Sequence, residues 1–130
     1  MRALDVLVIE DEALVALDIE GIVEERGHRV VGIAPDAARA RKLAEHAPPD
    51  LVISDIQLRS APTGDVVAAE IAKRSGARII FVSGNIHSDD TAKLHALAPL
   101  GLLQKPYEPD ALVQMLERAE EAFAFVRPVD

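Results

Sequence analysis

Five short apolar runs punctuate the chain: Leu4 to Ile9, Val30 to Ala34, Leu51 to Ser54, Ile79 to Val82 and Leu100 to Leu103. Each is nearly continuous in apolar side chains, the pattern of a strand covered on both faces. The stretches between them have helical spacing. In the first, Leu14, Leu17, Asp18, Ile22 and Glu25 interleave apolar and charged positions, and Gly27 sits where a helix should stop. Asp36 is placed to cap a second helix that runs to about His46 and ends at Pro48-Pro49. Thr63 or Gly64 opens the third, with Val66, Val67, Ile71 and Ala72 as its apolar stripe and Ser75-Gly76 as its close. Ser88 caps the fourth, with Leu94 and Leu97 inward and Pro99 as the breaker. Asp110 starts the fifth, and Leu112, Val113, Leu116 and Ala119 form its apolar side. Strands alternating with helices over short connections predict a parallel sheet built from right-handed crossovers with helices on both faces, a doubly wound α/β domain.

Composition narrows this picture. The 130 residues are 49% apolar and 28% charged, which suits one globular domain and leaves no room for a separate output domain. That domain is expected over residues 1–125, with 126–130 as a short tail. Fourteen Lys and Arg against 22 Asp and Glu give a net charge of −8, which disfavours nucleic acid as a partner. The absence of cysteine removes disulfides, thiolate chemistry and Cys-based zinc sites. Glu10-Asp11-Glu12 interrupts the first apolar run too early for a signal peptide, and no run approaches the roughly 18 residues needed to span a bilayer. The sequence-based expectation is a cytoplasmic protein with no membrane partner.

In a doubly wound sheet, ligands sit beyond the carboxyl ends of the strands, so the residues just after each strand carry the chemistry. Here those ends are Glu10-Asp11-Glu12, Asp55, Ser83-Gly84-Asn85 and Gln104-Lys105-Pro106. Carboxylates brought together repel one another and lose solvation unless a cation compensates them. A hard divalent ion such as Mg2+ takes oxygen ligands and only one or two carboxylates directly, which suits Asp11 and Asp55. Ser83 adds a hydroxyl and Lys105 a mobile point charge, a set able to hold the equatorial oxygens of a phosphoryl group while Asp55 attacks it.

With these residues in place, the whole chain resembles a response-regulator receiver domain of two-component signalling. The matching pieces are Val6 to Glu12 (VLVIEDE), Leu51 to Leu58 (LVISDIQL), Ile80 to Gly84 (IFVSG) and Leu103 to Tyr107 (LQKPY), in the order of that family. The resemblance implies a flavodoxin-like (βα)5 fold with strand order 2-1-3-4-5. It makes Asp55 the phosphoacceptor, Asp11 a direct Mg2+ ligand, Glu10 a ligand through metal-bound water, and the backbone carbonyl of Gln57 the last protein ligand. Ser83 becomes the hydroxyl that turns toward the phosphoryl group, Lys105 its counter-charge, and the bond before Pro106 cis. Gln57 and Asn85 hold positions that tune acyl-phosphate lifetime. Two departures stand out. The loop from Arg59 to Gly64 lacks the family's usual proline after the acceptor, and its glycine comes about one residue late. Leu102 occupies the place of a switch Tyr or Phe. Tyr107, together with Phe81 to Gly84, resembles a variant class of mostly stand-alone receivers with a Phe-Ala-Thr-Gly-type fourth strand, and is expected to report on the site.

The expected function is that of a single-domain response regulator. A histidine kinase or histidine phosphotransfer protein would donate phosphoryl to Asp55, and an altered surface on the fourth and last helices would bind an unknown downstream protein. Weak self-association through the helix-four to helix-five face stays open. No turnover of an external substrate is expected. Three rivals share the site or the fold. An Mg2+-dependent phosphohydrolase would use Asp55 as nucleophile, but Gln57 offers no second carboxylate as general acid. A flavin-binding module would need a phosphate loop where Glu10-Asp11-Glu12 stands. A phosphorylation-independent interaction module would explain the altered loop and Leu102. His28, His46, His87 and His95 share no ligand spacing and are expected at the surface or in loops. Phe123, Phe125 and Val126 are expected to pack the last helix onto the sheet.

Overall fold

A computed structural model describes residues 2–85 and 88–124, with the side chains of residues 88–90 outside the description. Its elements alternate as the periodicity predicts: β1 (Asp5–Ile9), α1 (Ala13–Glu25), β2 (Arg29–Ala34), α2 (Ala37–His46), β3 (Leu51–Asp55), α3 (Gly64–Ser75), β4 (Arg78–Ser83), α4 (Ser88–His95), β5 (Gly101–Gln104) and α5 (Pro109–Ala124). The described strands form one parallel sheet in the order β2-β1-β3-β4-β5. β1 lies inside the sheet, and the chain winds outward from it in both directions. The carboxyl ends of β1 and β3 therefore flank the switch point at which a ligand crevice opens.

The strands are apolar on both faces because helices cover both. α1 and α5 close over Val6, Val8, Leu51, Ile53, Ile80 and Val82 on one side. On the other, α2, α3 and Leu94 of α4 cover Leu7, Ile9, Val52, Ile79 and Phe81. Local signals set several boundaries as expected. Asp36 accepts the Arg39 N–H at 2.9 Å at the start of α2. Gly76 ends α3 in the left-handed region at φ 75°, and Gly27 follows α1 at φ 96°. No helix among the described residues is long and apolar enough to cross a membrane.

Packing overrides the sequence reading at four places. Leu14 and Leu17 are 83% and 56% exposed, because α1 turns Ala16, Ile19 and Val23 to the sheet instead. Val66 lies outside the stripe of α3, which is formed by Val67, Ala68 and Ile71. His28 is not a surface residue. Its ring is fully buried, where Nδ1 accepts the Leu4 N–H at 3.0 Å and Nε2 lies 2.8 Å from Glu120 Oε2. A backbone N–H can only donate, so Nδ1 carries no proton and Nε2 donates to Glu120. Phe123 packs against the α1–α5 side of the core, whereas Phe125, Val126 and the tail expected at 126–130 lie outside the described residues, as do His87 and the side chain of Ser88.

Candidate functional site

Parallel register brings the polar strand ends to one edge of the sheet. Ile9 pairs with Ser54, Asp55 with Val82 and Ser83 with Gln104, so Glu10, Asp55, Ser83 and Lys105 all emerge at the same level. Glu10, Asp11 and Asp55 each offer a carboxylate oxygen, and these oxygens lie within 4.8 Å of one another. Glu10 and Asp55 are buried, and the Lys105 ammonium lies between them, 2.7 Å from Glu10 Oε1 and 3.3 Å from Asp55 Oδ2. Glu12 lies farther out, at 3.9 Å from the same ammonium.

The electrostatics follow from burial. Loss of solvent first, then a hydrogen bond and charge repulsion from Asp55, push the Glu10 carboxyl up to about 8, against the counteracting Lys105. Burial by itself would lower the Lys105 ammonium, but its contacts with Glu10 and Asp55 outweigh that and raise it. Without a metal, then, the site favours a proton on Glu10 well above the ordinary carboxylate range and keeps the charge on Lys105. Glu10 Oε2 is buried and has no hydrogen-bond partner, and an orphaned carboxyl oxygen beside two further carboxylates is a donor set that fits a hard divalent cation. Receiver-type residues and Mg2+ are thus compatible here on the donors alone.

Each side chain is held by its neighbours. The Gln57 N–H donates to Asp55 Oδ1 at 3.2 Å. Ser83 is buried, and its Oγ accepts the Asn85 N–H at 3.1 Å, leaving the exposed Asn85 at the rim. The Lys105 N–H donates to the Ser83 carbonyl at 2.8 Å, which fixes β5 beside β4 just before the cis Lys105–Pro106 bond. Leu102 packs into the α2–α3 side of the core, so an apolar contact occupies the switch position. Tyr107 packs against the opposite side, with a buried hydroxyl that has no partner. Burial first, then the Asp18 carboxylate, push that phenol up to about 12. Leu14, Val15, Asp18, Lys105, Pro106 and Tyr107 line a cleft of about 640 Å3 beside the carboxylates.

Two supports were not read from the sequence. The Arg59 N–H donates to Asp11 Oδ2 at 2.8 Å, so the loop after β3 closes onto the acidic cluster. Gly64 presses on the Asp55 backbone, where a Cβ would collide with the Asp55 carbonyl. Ser54 Oγ bridges the two carbonyls, at 2.9 Å from Asp55 O and 3.3 Å from Gly64 O, and the Gly64 N–H donates to Ile56 O at 2.8 Å. A serine before Asp55 and a glycine opening the next helix are the signals the sequence offers.

The sequence profile of the response regulator receiver domain matches residues 6–117, which contain every member of this cluster. The chain belongs to the receiver domain family. PhyR of Methylorubrum extorquens is 32% identical over 118 residues, covering 90% of this chain and 43% of that protein. PdtaR of Mycobacterium tuberculosis is 33% identical over 118 residues, covering 91% of this chain and 57% of that protein. The receiver domain therefore spans about half the length of the curated relatives it matches. Among solved structures, the signal receiver domain of a modulated diguanylate cyclase from Desulfovibrio desulfuricans G20 superposes with a TM-score of 0.86 at 27% identity, covering 97% of this chain and 100% of that one. Fold and family thus stand as the residues implied: a flavodoxin-like receiver domain of two-component signalling.

Proposed function

We propose that this receiver domain accepts a phosphoryl group on Asp55 from a histidine kinase or histidine phosphotransfer protein and signals through an altered protein-binding surface. One observation carries the reading: the buried Asp55 carboxylate is oriented by the Gln57 N–H on Oδ1 and by the Lys105 ammonium on Oδ2, within 4.8 Å of two further carboxylates. In the transfer, an Asp55 oxygen forms the new bond to phosphorus as the bond from phosphorus to the donor nitrogen breaks. The Lys105 ammonium and the Ser83 hydroxyl are placed to take the phosphoryl oxygens, and the transfer rests on positioning and charge rather than on proton abstraction by the protein. Asp11, Asp55, Glu10 and the Gln57 carbonyl would hold Mg2+, which when bound neutralises the charge that phosphoryl and carboxylates bring together.

The donor needs a surface beside the acceptor, and the exposed Leu14 on α1 borders the cleft that contains Lys105, with Leu17 exposed on the same helix. Large apolar side chains held in solvent mark interaction sites. On the output side, the added negative charge biases the packing around β4-α4 and β5-α5, so α4 and α5 form the responding face, as a population shift. In this reading the protein acts in the cytoplasm, and it is the substrate of its donor rather than an enzyme with substrates of its own.

Intact mass after incubation with Mg2+ and acetyl phosphate tests the reading. One phosphoryl group gained by the wild type and not by Asp55→Asn is the expected result. Failure of the wild type to gain it, both there and with a kinase-bearing lysate, would replace the reading with a phosphorylation-independent interaction module.

A further inference from the structure

Most cations of this acidic protein are neutralised where they stand. Of the thirteen Lys and Arg among the described residues, seven ion-pair with a carboxylate, and Arg118 donates to the Leu100 carbonyl. The remaining five, Arg39, Lys42, Lys73, Arg74 and Arg78, form no ion pair among the described residues, and all lie on α2, α3 or the first residue of β4. Residues 37–50 and 64–78 hold six Lys and Arg against four Asp and Glu, whereas the rest of the chain holds eight against eighteen. The positive charge left over is therefore concentrated on one helical face.

That face contains a cleft. Between α2 and α3 a groove of about 480 Å3 is lined by Ala44, Pro48 and Ile71 as apolar surface, with Arg41, Glu70 and Arg74 at its sides. Arg41 binds Glu70 through two hydrogen bonds, at 2.7 and 3.2 Å, which spans the groove and leaves neither group free for a ligand. Arg74 lines the same groove and forms no ion pair among the described residues, although its charge acts on Glu70 from one turn away. Glu45 also lines it and forms no ion pair, so an occupant must place its own carboxylates toward α3. The cleft lies along the C-terminal halves of both helices, away from the end of the sheet that carries Asp55.

We propose that this groove docks an acidic segment of a partner protein, seating an apolar side chain on Ala44, Pro48 and Ile71 and placing carboxylates against Arg74 and Lys73. Charge complementarity selects the occupant. A protein of net charge −8 repels an acidic segment over most of its surface, and screening over about 8 Å at physiological salt leaves this face as the local attraction. Nucleic acid fits the face less well, because it needs a broader positive field and stacking aromatics, and this chain has no Trp and one Tyr. The proposal does not rest on phosphorylation of Asp55.

Fluorescence anisotropy with the full chain and a short fluorescein-labelled glutamate peptide carrying two leucines one helical turn apart tests it. Saturable binding is expected, weakened about tenfold by Lys73→Glu with Arg74→Glu, by high salt, and by replacing both leucines with serine. Both variant positions are exposed and form no ion pair among the described residues, so thermal unfolding should confirm an unchanged fold. Absence of saturable binding, equal binding of the leucine-free peptide, or tighter binding of an oligonucleotide would each overturn the proposal. So would concentration-dependent self-association in ultracentrifugation that Leu14→Ser abolishes, since it would assign the groove to α1 of a second copy.

Discussion

Gly64 lies so close to the backbone oxygen of Asp55 that no side chain fits between them, because a Cβ on it would collide with that carbonyl and with Ser54 Oγ. The start of α3 and the acceptor strand are thereby held at fixed separation. Gly64→Ala must push the loop away or bend β3, and such overpacking in a dense site costs about 2 kcal/mol or more. Urea denaturation should show that loss. The folded fraction should also label with acetyl phosphate more slowly than wild type; wild-type labelling would separate the glycine contact from the acceptor's geometry.

Glu10 gives the site a pH dependence whose sign is fixed. The folded, metal-free protein keeps a proton on this carboxyl up to about 8, while the unfolded chain releases it near 4.5. Between those values the folded state binds more protons, so stability falls as pH rises. Thermal unfolding in chelator should therefore show a midpoint that declines from about pH 5 to about pH 8, and Glu10→Gln should flatten it. Mg2+ favours the ionised carboxyl, so calorimetry should find tighter binding as pH rises toward 8 with proton release on binding. A pH-independent affinity would place Glu10 outside the ion's influence.

What the sequence made legible and what it hid divide on range. Asp36 as a cap, Gly76 as a helix stop and the run of Leu51 to Ser54 as a covered strand depend on a few neighbours, and the structure keeps them, with the strand reaching Asp55. The acidic cluster was readable because strand ends in a parallel sheet converge by topology alone. The face of α1 was not. Its residues offer two apolar arcs, and the choice of Ala16, Ile19 and Val23 over Leu14 and Leu17 is made by the sheet and α5. His28 was likewise invisible as a buried residue, because its partners, Leu4 and Glu120, are 24 and 92 residues away. The contact between Arg59 and Asp11 spans 48 residues and uses a backbone N–H that any residue would supply.

Tyr107 is the single tyrosine and the chain has no tryptophan, so its titration can be followed alone by ultraviolet absorbance. Burial should hold the native phenol near 12, and unfolding should return it to about 10. If Tyr107 senses the acceptor, acetyl phosphate with Mg2+ should shift that titration or the absorbance itself. The hydroxyl is buried without a partner, so Tyr107→Phe should leave stability unchanged or raise it by up to about 1 kcal/mol. Tyr107→Ala should lose the ring's packing against the core and destabilise the fold.

The buried His28 ties three elements together far from the acceptor. Its Nδ1 accepts the Leu4 N–H just before β1, its ring follows α1, and its Nε2 donates to Glu120 on α5, which also binds Arg26 at 2.7 and 2.8 Å. His28→Ala would leave the Leu4 N–H unpaired beside a cavity, a loss of about 2 to 3 kcal/mol measured by urea denaturation. Glu120 supplies the acid-sensitive half of the same clasp. Arg26 first, with His28 in support, holds its carboxyl below the ordinary range against the opposing effect of burial. A lowered carboxyl stabilises above its unfolded value, so the contribution is present at neutral pH and lost as pH falls from about 4.5 downward. Glu120→Gln should therefore lower the thermal midpoint at pH 7 and leave it closer to wild type at low pH. An equal loss at both ends of the range would mean that the clasp works through shape and hydrogen bonding rather than charge.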